Sequence, residues 1–177
     1  MCEESIRAIA YLRSDKKRFL DWVEKNDVGT SLESLGFTQE DLDEAHRLEL
    51  EEPEANNKII EDFSVVHEEF KILKLYSYVS DFYGKAKVGD NTRDFCKRMV
   101  DITKNNFISF NEITAFNSSN KGFGKGGSDT YSVFNFRGGV NCKHRWKKYL
   151  VDTINKRLVV APANEQPPAP PVERINK

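Results

Sequence analysis

Two short segments concentrate the residue types that most restrict the fold of this chain. The first reads Asn-Thr-Arg-Asp-Phe-Cys-Lys-Arg-Met-Val over residues 91–100, and the second covers residues 134–146, about forty residues later. The second segment contains a Gly-Gly pair and the sequence Cys142-Lys-His144. Two residues separated by one position lie on the same side of an extended backbone, so Cys142 and His144 are expected to face the same way. If a helix that carries Cys96 packs against them, these three residues form one cluster, here called the Cys/His corner.

Three interpretations of the Cys/His corner remain open. The three side chains suit zinc, with Asp94, His67 or water as a fourth ligand, although zinc modules usually carry paired Cys-x-x-Cys spacings. The interpretation that we favour is a buried structural pair of cysteines beside a polar histidine. The third is a Cys-His nucleophile, for which no orienting Asn or Asp and no oxyanion-hole motif can be identified. We therefore predict no metal, no cofactor and no catalytic residue.

The charged residues divide unequally along the chain. Residues 1–70 hold 19 acidic and 8 basic side chains, a net charge of −11, whereas residues 71–177 hold 9 acidic and 19 basic, a net charge of +10. Either the two parts attract each other, within one fold or between copies, or the basic part faces nucleic acid or an acidic partner. The basic residues nearest the corner are a candidate surface for phosphate groups or a partner protein. They are Arg137, Lys143, Arg145, Lys147 and Lys148.

The overall composition predicts a globular protein. The 177 residues are 38% hydrophobic and 31% charged, which is enough to bury a core. No run of eighteen apolar residues occurs, and the first residues do not resemble a secretory signal, so we expect a soluble protein without membrane contact. Three widely spaced cysteines are no disulfide framework and fit a reducing cytosol.

The first part of the chain predicts helices. Apolar residues recur at helical spacing over residues 5–25, and Gly29 is expected to end this helix in a left-handed conformation. A capping box at Thr38 predicts a second helix, which Pro53 closes. Residues 56–70 have helical spacing together with β-branched residues, and we predict a helix there.

The second part predicts a mixture of helices and strands. We expect a strand over residues 71–79 and short helices over residues 92–100 and from Ser109, whose hydroxyl stands three residues before a glutamate. Two further strands, over residues 131–136 and 146–151, are predicted to form a β-hairpin around the Gly-Gly turn. The hairpin would hold the Cys/His corner.

These elements predict an α+β protein with three parts. Residues 1–70 form an acidic helical segment, and residues 71–160 form a small, basic, β-hairpin-centred domain with the Cys/His corner. Residues 161–177 contain all but one of the six prolines. They are expected to form an extended Pro-rich C-terminal arm that buries no core of its own and lies along a neighbour.

The two segments around the corner resemble minor head proteins of tailed bacteriophages related to the Mu F-like head-morphogenesis family. In that family an Arg-x-x-Cys block is followed, after a variable loop, by a Gly/Pro-x-Asn-Cys-Arg/Lys-Cys/His block. Arg93, Phe95 and Cys96 match the first block. Residues 141–144 match the second, with a histidine in place of the family's common second cysteine. The resemblance covers about residues 75–155 and not the acidic start or the arm.

The resemblance implies a structural protein of the virion, without catalysis, that is made in the host cytoplasm. Such proteins are found near the portal and are associated with head assembly and with DNA packaging or ejection. The implied partners are portal or capsid proteins, further copies of the chain and packaged DNA. The competing interpretation is a small cytosolic module that binds zinc or nucleic acid, and a Cys-dependent enzyme is the weakest of the three.

Overall fold

The computed structural model describes residues 20–65, 72–80, 92, 94–119, 134 and 144–167. Its helices are α1 (residues 20–25), α2 (Gln39–Glu51), α3 (Pro53–Val65), α4 (Asp94–Thr103) and α5 (Phe110–Ser119). Its strands are β1 (Thr30–Ser31), β2 (Leu73–Ser80), β3 (Asn106–Ser109), β4 (His144–Asp152) and β5 (Arg157–Val160). A 3-10 turn follows at Ala163–Glu165. None of the described helices is long and apolar enough to cross a bilayer.

The five strands form one antiparallel sheet in the order β1-β3-β2-β4-β5. β2 and β4 pair along their length, from Leu73 opposite Val151 to Ser80 opposite His144. β4 and β5 are joined by a tight turn over residues 153–156. Helices and an antiparallel sheet together confirm the predicted α+β class.

Helices cover both faces of the sheet. On one face, α1, α4 and α5 pack against a cluster that includes Tyr78 and Trp146. On the other, α2 packs through Leu42 and Ala45 against Tyr149 and its neighbours. α3 packs against β5 and the end of β4. Because residues from 20–65 and from 72–161 share these clusters, the packing crosses the boundary that the sequence predicts at residue 70.

Local chemistry fixes the helix ends. The backbone N–H of Thr38 donates to the Asp41 carboxylate at 2.7 Å, and the Asp41 N–H donates back to the Thr38 hydroxyl, which is a complete capping box. The left-handed stop after α1 is Asp27, with a φ of +50°, and the Val28 N–H donates to the carbonyl oxygen of Val23. Gly29, the stop that the sequence predicts, also has a positive φ, +106°, but it lies two residues farther on, next to β1. Pro53 opens α3, because the first turn of a helix needs no N–H from its first residue. The helix predicted within residues 56–70 is confirmed as far as Val65.

The predicted β-hairpin is wrong at Phe134, and the other residues of its predicted first strand, 131–133, 135 and 136, lie outside the described residues. Phe134, the described residue of that segment, is helical, and the strand that pairs with β4 along its length is β2. Phe134 instead uses its ring to pack against Tyr76 and Trp146. The strand was predicted from alternation, which is a local pattern, whereas the strand that pairs with β4 is decided by tertiary packing. The actual hairpin joins β4 to β5.

The C-terminal arm begins later than the sequence predicts. Ala161 is buried, and its N–H donates to the carbonyl oxygen of Lys148, so it extends the sheet. The following residues make the 3-10 turn and contact β4 as far as Gln166. Prolines at 162 and 167 bracket this packed stretch. Only residues 168–177, here called the distal arm, follow the described fold.

Candidate functional site

Two members of the Cys/His corner meet at the ring of Tyr78. The Cys96 sulfur lies 3.7 Å from the Tyr78 hydroxyl oxygen, and the His144 ring stacks on Tyr78 with 5.6 Å between centroids and 4° between planes. Tyr78 stands opposite Trp146 in the β2–β4 register, so His144 is its diagonal neighbour on the same face. Cys96 reaches the ring from α4. Cys142, the third member, lies outside the described residues.

Aromatic side chains close this corner to solvent. Trp146 packs edge-on against Tyr78, with 5.1 Å between ring centroids. Phe95 is also edge-on to Tyr78, with 6.2 Å between centroids. Tyr78 and Trp146 have no exposed surface, and Cys96 is 2% exposed. A reactive cysteine is usually accessible and stabilised as a thiolate by positive charge. The geometry therefore favours packing over nucleophilic chemistry for Cys96.

The described residues hold no group of three His, Cys, Asp or Glu side chains arranged to bind a metal. Cys96 and His144 would supply two of the four ligands that a zinc site needs. Asp94, one candidate for the fourth position, is exposed at the start of α4. His67, the other, lies outside the described residues together with Cys142. The described part of the corner is a contact between a thiol, a phenol and an imidazole.

Two of the predicted surface cations lie inside the fold. Lys147 is 1% exposed and forms an ion pair with Glu49 of α2, and Lys148 pairs with Glu165 at 2.6 Å. β4 is a central strand covered on both faces, so its long cationic side chains are buried and need carboxylate partners. Lys147 and Lys148 are therefore not available as a surface for nucleic acid or a protein partner. Arg145 is half-buried on the same face as Lys147, and Arg137 and Lys143 lie outside the described residues.

The interface between α2 and β4 contains a polar cluster that the sequence analysis missed. The His46 Nε2 atom lies 2.8 Å from the Tyr149 hydroxyl oxygen, and both side chains are buried. Burial, reinforced by the charge of Glu49, raises the pKa of Tyr149, so the phenol remains protonated. Burial has the opposite effect on a cationic group: it lowers the pKa of Lys147, although the pairing with Glu49 opposes that shift.

The spacing along α2 is the signal that could have found this cluster. Leu42, Ala45, His46 and Glu49 recur at helical spacing, so they share one face, and two of the four are polar. Lys147 and Tyr149 are two positions apart on β4, so they also share one face of the sheet. The cluster joins α2 to the sheet through polar contacts where the rest of the interface is apolar.

Gln166 anchors the segment that follows β5 to strand β4. Its side-chain Oε1 accepts a hydrogen bond from the Lys148 N–H at 2.8 Å, and its Nε2 donates to the carbonyl oxygens of Lys148 and Ala161 at 3.2 and 2.6 Å. The amide thus takes the place of a backbone residue in the β ladder. Together with the ion pair between Lys148 and Glu165, it fixes the point where the distal arm leaves the fold.

Comparison of the chain with protein families, with curated proteins and with solved structures gave no match in any of the three. Function is therefore inferred from the geometry above and from the resemblance of the two blocks. The geometry is that of a scaffold whose ionisable groups on β4 are paired internally. A site of this kind stabilises and positions elements of the fold.

Proposed function

We propose that this chain is a structural protein of a tailed-phage particle, a minor head or portal-proximal component that takes part in head assembly or in DNA packaging or ejection. The observation that carries the proposal is the meeting of the two blocks at Tyr78. Cys96 belongs to the first block and His144 to the second, and both contact the same ring. Two distant blocks that belong to one family pattern should form one structural element, and their contact supports the resemblance.

The exposed face of α2 is the surface that we assign to a protein partner. The residues of this helix that face solvent are mainly acidic: Glu40, Asp41, Asp43, Glu44 and Glu51. Such a face repels the phosphates of DNA and attracts basic protein surfaces. Portal protein, capsid protein or a further copy of this chain is its partner, and any packaged DNA is contacted by another surface.

The proposal is tested on purified particles of the phage or prophage that encodes the chain. Quantitative mass spectrometry should find the protein at a fixed copy number per particle, and immunogold labelling should place it at one vertex. Absence from gradient-purified particles would overturn the proposal. If the isolated protein instead binds zinc stoichiometrically and DNA in a strongly salt-dependent manner, the cytosolic module is the better interpretation.

Charge reversal tests the partner surface separately. Replacing Glu40 and Asp43 with lysine should reduce incorporation into particles, because a basic partner would then meet like charge. The matched control is Asp101→Lys, an exposed acidic residue of α4 on the opposite side of the sheet. Equal incorporation of both variants would remove the α2 face from the assembly interface while leaving the virion location in place.

A further inference from the structure

Three aromatic side chains form a row that leads from the sheet to the surface. The Phe134 ring stands edge-on to Tyr76, with 5.3 Å between centroids, and edge-on to Phe110, with 5.1 Å between centroids. Tyr76 is almost buried, Phe134 is half-buried, and Phe110 is 46% exposed. Phe110 is thus one of the few large apolar side chains that the described residues leave open to solvent.

The inner end of this row lies where the chain end is anchored. Tyr76 stands opposite Lys148 in the β2–β4 register, and Lys148 is the residue that Gln166 and Glu165 hold. The proximity of Glu165 is also evident at Tyr76, whose pKa is raised by burial and by the charge of that carboxylate. The last described residues therefore lie on β4, the strand next to the one that carries the first ring of the row.

The beginning of the distal arm has the composition that binds such a row. Residues 168–171 read Pro-Ala-Pro-Pro, which favours a polyproline II helix. Proline-rich segments in this conformation dock on grooves lined by aromatic rings, and they lose little entropy because they are already extended. Four such residues cover about 12 Å, and the two ring spacings of the row span at most about 10 Å. The length of residues 168–171 therefore fits the length of the row.

We propose that the aromatic row of Tyr76, Phe134 and Phe110 is a docking surface for residues 168–171 of the same chain. The anchor at Gln166 keeps the prolines close to the row, which raises their effective concentration above that of any free peptide. Glu165 and Lys148 hold the start of the segment, and the exposed ring of Phe110 receives its end. The inference uses only contacts within the chain and does not depend on the proposed virion function.

The test is the NMR spectrum of the full chain with isotopically labelled proline. Protons stacked on aromatic rings shift upfield, so the side chains of Pro168, Pro170 and Pro171 should show upfield shifts. Phe110→Ala should abolish the shift of the prolines nearest the outer ring. Ile154→Ala is the matched control, because Ile154 is 61% exposed at the β4–β5 turn, and it should leave the shifts unchanged.

Further measurements separate the possible outcomes. Replacement of Pro170 and Pro171 with serine leaves every residue of the described core unchanged and should return the Pro168 shift toward its random-coil value. This second variant keeps the test decisive if the Phe110 variant misfolds. Shifts that are independent of protein concentration fit docking within one chain. Shifts that fade on dilution would assign the docked segment to a second copy and overturn the proposal, as would the absence of upfield shifts in the unmodified chain.

Discussion

Glu49 of α2 forms an ion pair with Lys147 of β4, and the lysine side chain is only 1% exposed. The two residues are 98 positions apart and come from the acidic and the basic parts of the chain. A second pair of this kind joins Glu24 to Arg98 at the surface. Part of the charge asymmetry in the sequence is thus used for attraction within one fold, the first of the two interpretations that the sequence left open.

We expect the loss of one partner of the Glu49–Lys147 ion pair to destabilise the protein more than the replacement of both. Glu49→Leu should lower the free energy of unfolding by about 2–4 kcal/mol, because it leaves a buried ammonium group without its carboxylate. Lys147→Met combined with Glu49→Leu should recover most of this loss, since two apolar side chains need no partner. Urea unfolding of the two single variants and the double variant measures the coupling. Additive losses would show that the ion pair contributes little.

The helix ends could be predicted from the sequence because their chemistry is local. The capping boxes of Thr38 with Asp41 and of Ser109 with Glu112 each lie within four consecutive residues, and both are present. The β4–β5 hairpin was missed because its turn contains no glycine. Lys156 adopts the positive φ instead, at +53°, a conformation that lysine rarely takes.

The candidate site was predictable only in part, because its contacts join residues that are distant in the sequence. Cys96 and His144 could be selected by residue type, but their common contact with Tyr78 depends on the register between β2 and β4. The burial of Lys147 depends on how α2 lies across the sheet. Neither the register nor the helix position is encoded in a local pattern, so basic residues on a central strand were assigned to a surface.

The Asp152 carboxylate should make the stability of the protein dependent on pH. Burial alone would raise its pKa, but hydrogen bonds from Asn155, from Arg157 and from the Ile154 N–H together lower the pKa to about 2. The pKa in the unfolded chain is about 3.9. The folded value is the lower one, so this contribution is complete above about pH 4 and is lost as the pH falls toward 2.

Asp152→Asn should therefore lower the free energy of unfolding by about 2 kcal/mol at pH 7 and by much less near pH 2. Urea unfolding at pH 7, 4 and 3 measures the difference between the two proteins. Asp101→Asn, at an exposed position of α4, is the control and should change little at any pH. A constant difference between pH 7 and pH 3 would show that the carboxylate charge is not what stabilises the turn.

Gln166→Ala should loosen the anchor of the distal arm. The substitution removes an acceptor from the Lys148 N–H and a donor from two carbonyl oxygens, at an expected cost of about 1–3 kcal/mol. Amide hydrogen exchange at Lys148 should become faster, while exchange in the middle of β2 stays slow. Gln39→Ala is a suitable control, because Gln39 is exposed and its side chain bonds to Asp43 of its own helix. Unchanged protection of Lys148 would contradict the anchoring role.

The last prediction concerns Cys96, whose environment decides between a structural corner and a zinc site. Cys96→Ala should destabilise the protein by about 1–2 kcal/mol, because the sulfur fills space beside Tyr78 and its removal leaves a small cavity. If the corner is purely structural, this loss is the same with and without a strong chelator, since no metal enters the folding equilibrium. If Cys96 is a zinc ligand, the intact protein loses the free energy of metal binding in the chelator, while the variant has little to lose. The difference between the two proteins then shrinks on chelation. Thermal unfolding of both proteins in the two buffers, with zinc measured by elemental analysis, separates these outcomes, and we expect an unchanged difference and no stoichiometric zinc.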